Sequence, residues 1–212
     1  HAFGARRNTT NLSPTFSRDG ATVVYAVSGE NGSDLYAMPA SGTGTPTRIT
    51  VGRGSDNVQP SFSPEGRRIA FMSSRAGPPE IYISDADGTN PDMLTAYDFS
   101  TKNYRTSPDW SPDGRQVAYQ SRVPDGSGGT FQIFTISLRD RTPRQLTSDA
   151  ENEDPSWAPD GRHLVFTSTR SGEKQLWVLD VESGRMRQLT HAAGSRIAAW
   201  SPRLAPPAAP AP

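Results

Sequence analysis

Four carboxylates stand within six consecutive positions in the second half of the chain: Asp149, Glu151, Glu153 and Asp154. Carboxylate oxygens are the ligands that hard cations prefer, so this group is a candidate calcium site. A run of solvated surface charge explains the same residues without any ion. The sequence leaves both interpretations open and points to no other cofactor.

A second group of residues combines aromatic rings with cations, in the segment Ala96–Ser107. Aromatic and arginine side chains contribute most of the binding energy at protein–protein interfaces. A connecting loop does not need several of them for its own packing, although one or two can fold back over the edge of a neighbouring structural element. We therefore predict a partner-binding surface formed by Tyr97, Phe99, Lys102, Tyr104 and Arg105.

Residues suited to catalysis are scarce. The three histidines are His1, His163 and His191, and the chain has no cysteine that could act as a nucleophile or a zinc ligand. The sequence contains no Gly-x-Ser-x-Gly elbow, no phosphate-binding loop and no His-Glu-x-x-His zinc motif. We predict no catalytic residue and a protein that is not an enzyme.

The composition narrows the class of partner. Lys and Arg together number 22, and so do Asp and Glu, so the chain has no net charge that would attract nucleic acid. No apolar run reaches the roughly 18 residues that a membrane-spanning helix needs, so no transmembrane segment is predicted. The 19 glycines and 19 prolines suit many short strands joined by turns.

An internal repeat must position these groups. An aromatic residue marks each copy. Ser-Pro-Asp-Gly follows it in the third copy and close variants of that sequence follow it in the others, and the steps between aromatics are 46, 48, 47 and 43 residues. Pro-Asp-Gly suits a tight turn in which Gly takes a left-handed backbone conformation. Residues that recur in every copy are interpreted as structural. They are Phe16, Gly20, Phe62, Gly66, Trp110, Gly114, Trp157, Gly161 and Trp200.

Each copy contains four short strand patterns, and the aromatic ends the first of them. Four antiparallel strands in roughly 40 to 50 residues are typical of a β-propeller blade, so we predict an all-β propeller. The predicted divisions are a segment 1–12 that can supply an edge strand, blades at 13–50, 51–95, 96–147 and 148–190, a lone inner strand of an incomplete blade in 191–204 and a Pro/Ala-rich tail at 205–212.

The repeat resembles that of the TolB-type β-propeller family over residues 13–204. The resemblance rests on the corner Trp110–Gly114, on the second strand Ile69–Phe71, on an Ile-Tyr third strand and on the closing pair Leu94–Thr95. The ending Ala198–Leu204 is similar to the final inner strand of such propellers. The resemblance implies a periplasmic protein whose propeller engages partner proteins of the cell envelope, notably the peptidoglycan-associated lipoprotein.

Four complete blades and a fifth inner strand do not close a ring. The 12 residues before the first blade can supply one short strand but not the three that the fifth blade lacks. We expect either an open arc of four blades plus an edge strand, or a fragment of a longer propeller. An open arc exposes strand edges and apolar blade faces, so we expect another chain to cover it.

The predicted function is that of a non-enzymatic, protein-binding scaffold, periplasmic or otherwise exported and peripheral to a membrane. It is either a TolB-like propeller or an extramembrane accessory subunit that stabilises a larger membrane-associated complex. Two alternatives remain open. One is the non-catalytic propeller of a peptidase or hydrolase whose catalytic domain is not in this sequence, and the other is a propeller that binds a small ligand or carbohydrate.

Overall fold

The computed structural model describes residues 9–52, 54–95, 104–192 and 194–201, and its regular elements are sixteen β-strands. Blade 1 contains β1 (Thr10–Phe16), β2 (Thr22–Gly29), β3 (Gly32–Pro39) and β4 (Thr47–Arg48). Blade 2 contains β5 (Asn57–Phe62), β6 (Arg68–Ser73), β7 (Glu80–Asp85) and β8 (Asp92–Met93). Blade 3 contains β9 (Arg105–Trp110), β10 (Gln116–Val123), β11 (Thr130–Ser137) and β12 (Pro143–Gln145). Blade 4 contains β13 (Asn152–Trp157), β14 (His163–Ser168), β15 (Gln175–Asp180) and β16 (Met186–Gln188).

The strands of each blade pair antiparallel in chain order, from an inner first strand to an outer fourth strand. The outer strands are only two or three residues long, and such short edges limit pairing with other molecules. The prediction of an all-β protein built from four-stranded antiparallel blades is confirmed. Within the described ranges, no helix is long and apolar enough to cross a membrane.

The repeated corner is held by its own serine and glycine. In blade 3 the Gly114 N–H donates to the Ser111 carbonyl at 2.9 Å, and the Ser111 hydroxyl donates to Asp113 at 2.6 Å. The same hydroxyl accepts the Gln116 N–H at 2.9 Å, so strand pairing resumes directly after the turn. The corner glycine has a left-handed backbone in every blade, which explains its recurrence. The φ angles are 69°, 73°, 70° and 71° at Gly20, Gly66, Gly114 and Gly161.

The hydrophobic core lies between adjacent blades. Small or branched side chains on one blade, such as Ala70 and Ile81, pack against larger ones on the next, such as Trp110 and Tyr119. All four of these residues are buried. Burial of a large apolar side chain contributes roughly 1.5 to 3 kcal/mol. Each blade therefore depends on its neighbour for part of its core, and this dependence is why the unit repeats.

A buried polar latch joins each blade to the next and explains the closing threonine. In blade 3 the Thr147 hydroxyl donates to Gln132 at 2.7 Å and accepts the Ile133 N–H at 2.9 Å. The Gln132 side chain also accepts a hydrogen bond at 2.9 Å from Asn152, the first residue of the inner strand of blade 4. The equivalent residues between blades 1 and 2 are Asp34, Thr50 and Asn57. The latch thus fixes where each following inner strand begins.

Candidate functional site

Two cavities of about 230 and 640 Å³ lie along the inner strands and share Asp109 and Ser156 in their walls. We refer to the two cavities together as the channel. All four blades and the segment 194–201 contribute to each cavity. The smaller cavity is lined by residues that include Ser13, Gln59, Ser107, Asp154 and Ile197, and the larger one by residues that include Arg18, Phe62, Trp110, Trp157 and Trp200. Concave surfaces of this kind are common binding sites, so the channel is a candidate site for ligand binding or catalysis.

Asp109 lies where the two cavities meet, and both of its oxygens accept hydrogen bonds. Oδ1 accepts the Ser61 hydroxyl of blade 2 at 3.1 Å, and Oδ2 accepts the Trp157 N–H of blade 4 at 2.7 Å. Burial raises the pKa of Asp109 to about 6, and these hydrogen bonds oppose that rise only in part. This carboxyl of blade 3 therefore bridges three blades and changes charge near neutral pH.

The four clustered carboxylates do not meet at one point. Asp149 accepts a hydrogen bond from Ser148, Glu153 forms an ion pair with Lys174, and Asp154 lines the channel. Across the part of the chain that the structure describes, no three His, Cys, Asp or Glu side chains are grouped so that they could hold a metal ion. Calcium binding by Asp149, Glu151, Glu153 and Asp154 stays a prediction from the sequence.

Asp154 links blades 3 and 4 at the smaller cavity. Its N–H donates to the Gln120 side chain at 2.7 Å, and its Oδ1 accepts the Ser107 hydroxyl at 3.4 Å. Burial raises the pKa of Asp154, and the neighbouring Glu153 carboxylate raises it further. Like Asp109, this carboxyl serves contacts between blades.

The predicted partner-binding group lies only partly within the described residues, because Tyr97, Phe99 and Lys102 are outside them. Tyr104 is 42% exposed, and its ring meets that of Phe131 edge to face with the centroids 5.8 Å apart. This geometry is favourable for aromatic pairs and leaves part of the tyrosine open to a partner.

Arg122 extends this aromatic pair into a cluster. Its guanidinium lies over the Phe131 ring, 5.7 Å from the centroid, and its Nε donates to the Gly129 carbonyl at 3.1 Å. The Arg122 N–H donates to the Tyr104 carbonyl at 3.0 Å, so the two residues are held side by side. We refer to Tyr104, Arg122 and Phe131 as the aromatic–arginine cluster.

Arg105 lies next to Tyr104 in the chain but points to a different place. Its guanidinium donates to both oxygens of Glu80, at 2.8 and 2.6 Å, and Glu80 is fully buried. Thr95 donates to the same carboxylate. The ion pair is therefore the latch between blades 2 and 3, in the place that a Gln–Asn pair takes between blades 3 and 4. A partner-binding role for Arg105 stays a prediction.

Phe131 and Arg122 are absent from the surface predicted from the sequence. The signal that could have found them is the Gly-rich stretch Pro124–Gly129, which breaks the repeat between β10 and β11. These two strands are eight residues long, as the corresponding strands of blade 1 are, against six in blades 2 and 4, and the Gly-rich stretch between them occurs in blade 3. Arg122 and Phe131 face each other across the extended part of the ladder. An arginine and an aromatic that flank such an insertion indicate a surface beyond the needs of the blade.

Comparison with known proteins agrees with this architecture. Residues 3–204 match the family described as the TolB beta propeller domain. TolB from Acinetobacter baumannii is similar with a TM-score of 0.69 and 24% identity, over 85% of this chain and 43% of that one. A putative TolB from Agrobacterium tumefaciens gives 0.67 and 24% identity, over 86% and 62%. A puromycin-hydrolyzing peptidase from Mycobacterium tuberculosis gives 0.67 and 14% identity, over 85% and 29%.

The chain thus spans less than two thirds of each of these structures, and identities of 24% and 14% indicate a shared fold. The family match is broader, since it covers residues 3–204 of the 212 in the sequence. It includes all four blades, their repeated corners and the segment 194–201. On this evidence the chain belongs to the TolB beta propeller domain family.

Proposed function

We propose that this chain is a protein-binding scaffold of the cell envelope, in the periplasm or otherwise exported, and that it is not an enzyme. In this proposal it acts as a TolB-like propeller or as an extramembrane accessory subunit that stabilises a larger membrane-associated complex. Membership of the TolB propeller family supports the scaffold role. The observation that carries the proposal is the aromatic–arginine cluster, which stands where the repeat is broken.

The cluster differs in kind from the polar groups of the channel. Asp109 and Asp154 use their carboxyl oxygens to hold neighbouring blades, which favours a structural role over proton transfer. The cluster, in contrast, lies at the extended end of the β10–β11 hairpin, and Arg122 is exposed. Tyrosine and arginine in such positions dominate the energetics of protein interfaces. Tyr97, Phe99 and Lys102, which precede Tyr104 in the same connection, are proposed to extend this surface.

A triple variant tests the surface: Tyr97→Ala, Phe99→Ala and Tyr104→Ala together. The tagged chain is incubated with solubilised envelope membranes of its source organism, and bound proteins are quantified by mass spectrometry. We expect at least one envelope protein to be recovered with the wild type and to fall at least about tenfold with the triple variant, since each interface anchor contributes on the order of 2 kcal/mol.

The matched control is Val51→Ala. Val51 follows the closing Thr50 of blade 1 as Ala96 follows Thr95, and it is an exposed apolar residue in the equivalent connection. This control should recover the same proteins as the wild type. If the triple variant recovered these proteins as well as the wild type does, the surface would not be the binding site. If the wild type recovered no envelope protein specifically, the scaffold function itself would be contradicted.

A further inference from the structure

Residues 194–201 follow the course of a fifth inner strand. In each blade the residue three positions before the corner aromatic has a left-handed backbone, and the ladder with the second strand shifts register there. The same conformation recurs in the fifth copy, at an isoleucine, where a branched side chain makes it unfavourable. The φ angles are 48°, 55°, 53°, 53° and 57° at Ser13, Gln59, Ser107, Asp154 and Ile197.

This segment is anchored to blade 4 by specific hydrogen bonds. The Trp200 Nε1–H donates to the Ser156 carbonyl at 3.1 Å, and the Ile197 N–H donates to the Thr167 hydroxyl at 3.2 Å. The Ser195 N–H donates to the carbonyl of Lys174 at 3.0 Å, as the Arg105 N–H does to Pro79 in blade 3. The segment is thus docked as an inner strand, although no second strand pairs with it among the described residues.

The face of blade 4 beside this segment is partly exposed. A cavity of about 480 Å³ lies there, and its wall combines apolar side chains with polar and charged ones. The apolar residues are Val178, Met186, Leu189 and Trp200, and the polar or charged ones are His163, Asp180, Arg185 and Arg187. Leu189 is 38% exposed, whereas Leu94, which holds the same place in blade 2, is 4% exposed because blade 3 packs on it. The side chains that form the blade-to-blade interface therefore recur on this face, and among the described residues no further blade packs on them.

We propose that residues 195–200 accept a β-strand from a partner protein, which pairs antiparallel with them and inserts an apolar side chain into the cavity beside Trp200. The proposal rests on the scaffold function above and specifies how a partner binds. A strand is the occupant because the segment already has the left-handed residue of the bulge position, the corner aromatic and the docking bonds of strands that pair in this way. Strand addition of this kind supplies affinity through ladder hydrogen bonds and specificity through alternate side chains.

The other blades identify the residue whose N–H the added strand needs. In blade 3 the backbone N–H of Trp110 donates to the Ser61 hydroxyl of blade 2 and not to the second strand of its own blade. The preceding residue, Asp109, pairs with Ala118 of that second strand. In an antiparallel ladder, hydrogen-bonded and non-bonded pairs alternate, so the residue before the aromatic donates to the second strand. Ala199 holds this position in the fifth copy, so Ala199→Pro should remove a ladder donor.

The repeat also provides the matched control. The position two residues before the aromatic is proline in all four blades, and Ala198 holds it in the fifth copy. Ala198→Pro therefore introduces the same residue one position away, at a place where the inner strands already tolerate it. The four prolines are Pro14, Pro60, Pro108 and Pro155.

The experiment uses a synthetic peptide that copies β10, Gln116–Val123, the natural complement of a Trp-containing inner strand. Binding is followed by tryptophan fluorescence and by hydrogen exchange of the amides in 195–200. We expect binding to the wild type and to Ala198→Pro, at least tenfold weaker binding to Ala199→Pro, and slowed exchange at 195–200. A scrambled peptide that binds equally well, or equal binding to Ala199→Pro, would overturn the proposal.

A second probe keeps the test decisive if Ala199→Pro fails to fold. A copy of the peptide that is N-methylated at the residue matching Ala118 keeps its side chains and loses a ladder donor, so it should bind at least tenfold more weakly to the wild type. Unchanged binding would overturn strand addition. An envelope protein captured equally by Ala199→Pro and Ala198→Pro would also overturn strand addition while leaving the scaffold function intact. The expected peptide pattern without any captured protein would instead support strand acceptance and contradict the scaffold function.

Discussion

The corner aromatic has different surroundings in the middle of the arc and at its ends. By the arc we mean the four blades and the segment 194–201, which follow one another in chain order. Trp110 and Trp157 are 4% and 6% exposed, whereas Phe16 is 61% and Trp200 is 39% exposed. All four hold the same place in the repeat and follow the same backbone pattern. Trp110 and Trp157 have an inner strand on both sides, whereas within the described ranges Phe16 and Trp200 have one on a single side. In a repeat protein, burial is therefore a property of the neighbours as well as of the residue.

The polar latches show the same contrast. Between blades 3 and 4, Gln132 binds both Thr147 and Asn152. At the end of the arc, Gln175 accepts the Thr190 hydroxyl at 2.6 Å, but Ser195 holds the position that corresponds to Asn152. At the interior junctions, the first residue of the next inner strand thus has a longer polar side chain than Ser195, and this side chain bonds to the preceding blade. We infer that the molecule is held together mainly at its three interior junctions.

Breaking an interior latch should have the largest effect on stability. Arg105→Met leaves the Glu80 carboxylate buried without the guanidinium that now contacts both of its oxygens. Removing one partner of a buried ion pair costs about 3 to 5 kcal/mol of unfolding free energy. Urea denaturation followed by tryptophan fluorescence measures this loss.

A double variant is the control for this prediction. Glu80→Gln with Arg105→Asn recreates the Gln132–Asn152 pair of the following junction, and it should regain most of the stability lost in Arg105→Met. A loss below about 1 kcal/mol in Arg105→Met would show that the ion pair is not the latch. If that variant kept its stability and lost its envelope partner, Arg105 would belong to the binding surface that the sequence predicts.

Asp109 should make the stability of the interior junctions depend on pH. Its counterparts at the ends of the arc are Thr15 and Ala199, which do not ionise. Since burial raises its pKa from 3.8 to about 6, the folded state binds the proton more tightly than the unfolded state. Its contribution to stability is complete below about pH 4 and is lost as the pH rises through about 6. Relative to Asp109→Asn, the wild type should lose at most about 3 kcal/mol between pH 4 and pH 7.

Urea unfolding of both proteins at several pH values measures this difference. The comparison with Asp109→Asn removes the contribution of other carboxyls, such as Asp160, whose pKa is lowered to about 2 chiefly by hydrogen bonds from Arg162 and His163 against the opposing effect of burial. Parallel stability profiles for the two proteins would mean that Asp109 is no more protonated in the folded state than in the unfolded state.

Turn chemistry made the blades predictable from the sequence, because it is local. Pro-Asp-Gly and the serine beside it encode the corner within a few residues, so Trp110–Gly114 could be assigned without knowing its neighbours. The closing Leu-Thr was also recognisable as a pattern. Its purpose was not recognisable, because it depends on residues far away in the chain. The Thr147 hydroxyl donates to Gln132 of β11, and Gln132 in turn accepts a hydrogen bond from Asn152 of the next blade.

The candidate surface was only partly predictable for the same reason. Tyr104 and Arg105 are adjacent in the chain, but alternate residues of a strand point to opposite sides, and Arg105 faces Glu80. Tyr104 instead meets Phe131, a residue of a later strand. Adjacency in sequence therefore grouped two residues with different contacts, and only the pairing of β9, β10 and β11 separates them.

The smallest expected effect compares an interior indole with one at the end of the arc. The Trp110 Nε1–H is buried and has no hydrogen-bond partner in the ranges that the structure describes, whereas the Trp200 Nε1–H donates to Ser156. Phe62 holds the place of Trp110 in blade 2, so phenylalanine fits the repeat. Trp110→Phe loses ring contacts, including the Arg68 guanidinium 4.9 Å from the ring centroid, but it also removes an unsatisfied donor.

We therefore expect Trp110→Phe to change the unfolding free energy by no more than about 1 kcal/mol, because the two effects oppose each other. Trp200→Phe loses a hydrogen bond that is made, and it should cost about 0.5 to 1.5 kcal/mol even though this ring is the more exposed of the two. Parallel urea titrations of the two variants measure the difference. A much larger loss for Trp110→Phe would mean that the buried area of the ring matters more than the unsatisfied indole N–H. Packing, and not hydrogen bonding, would then distinguish Trp110 from Trp200.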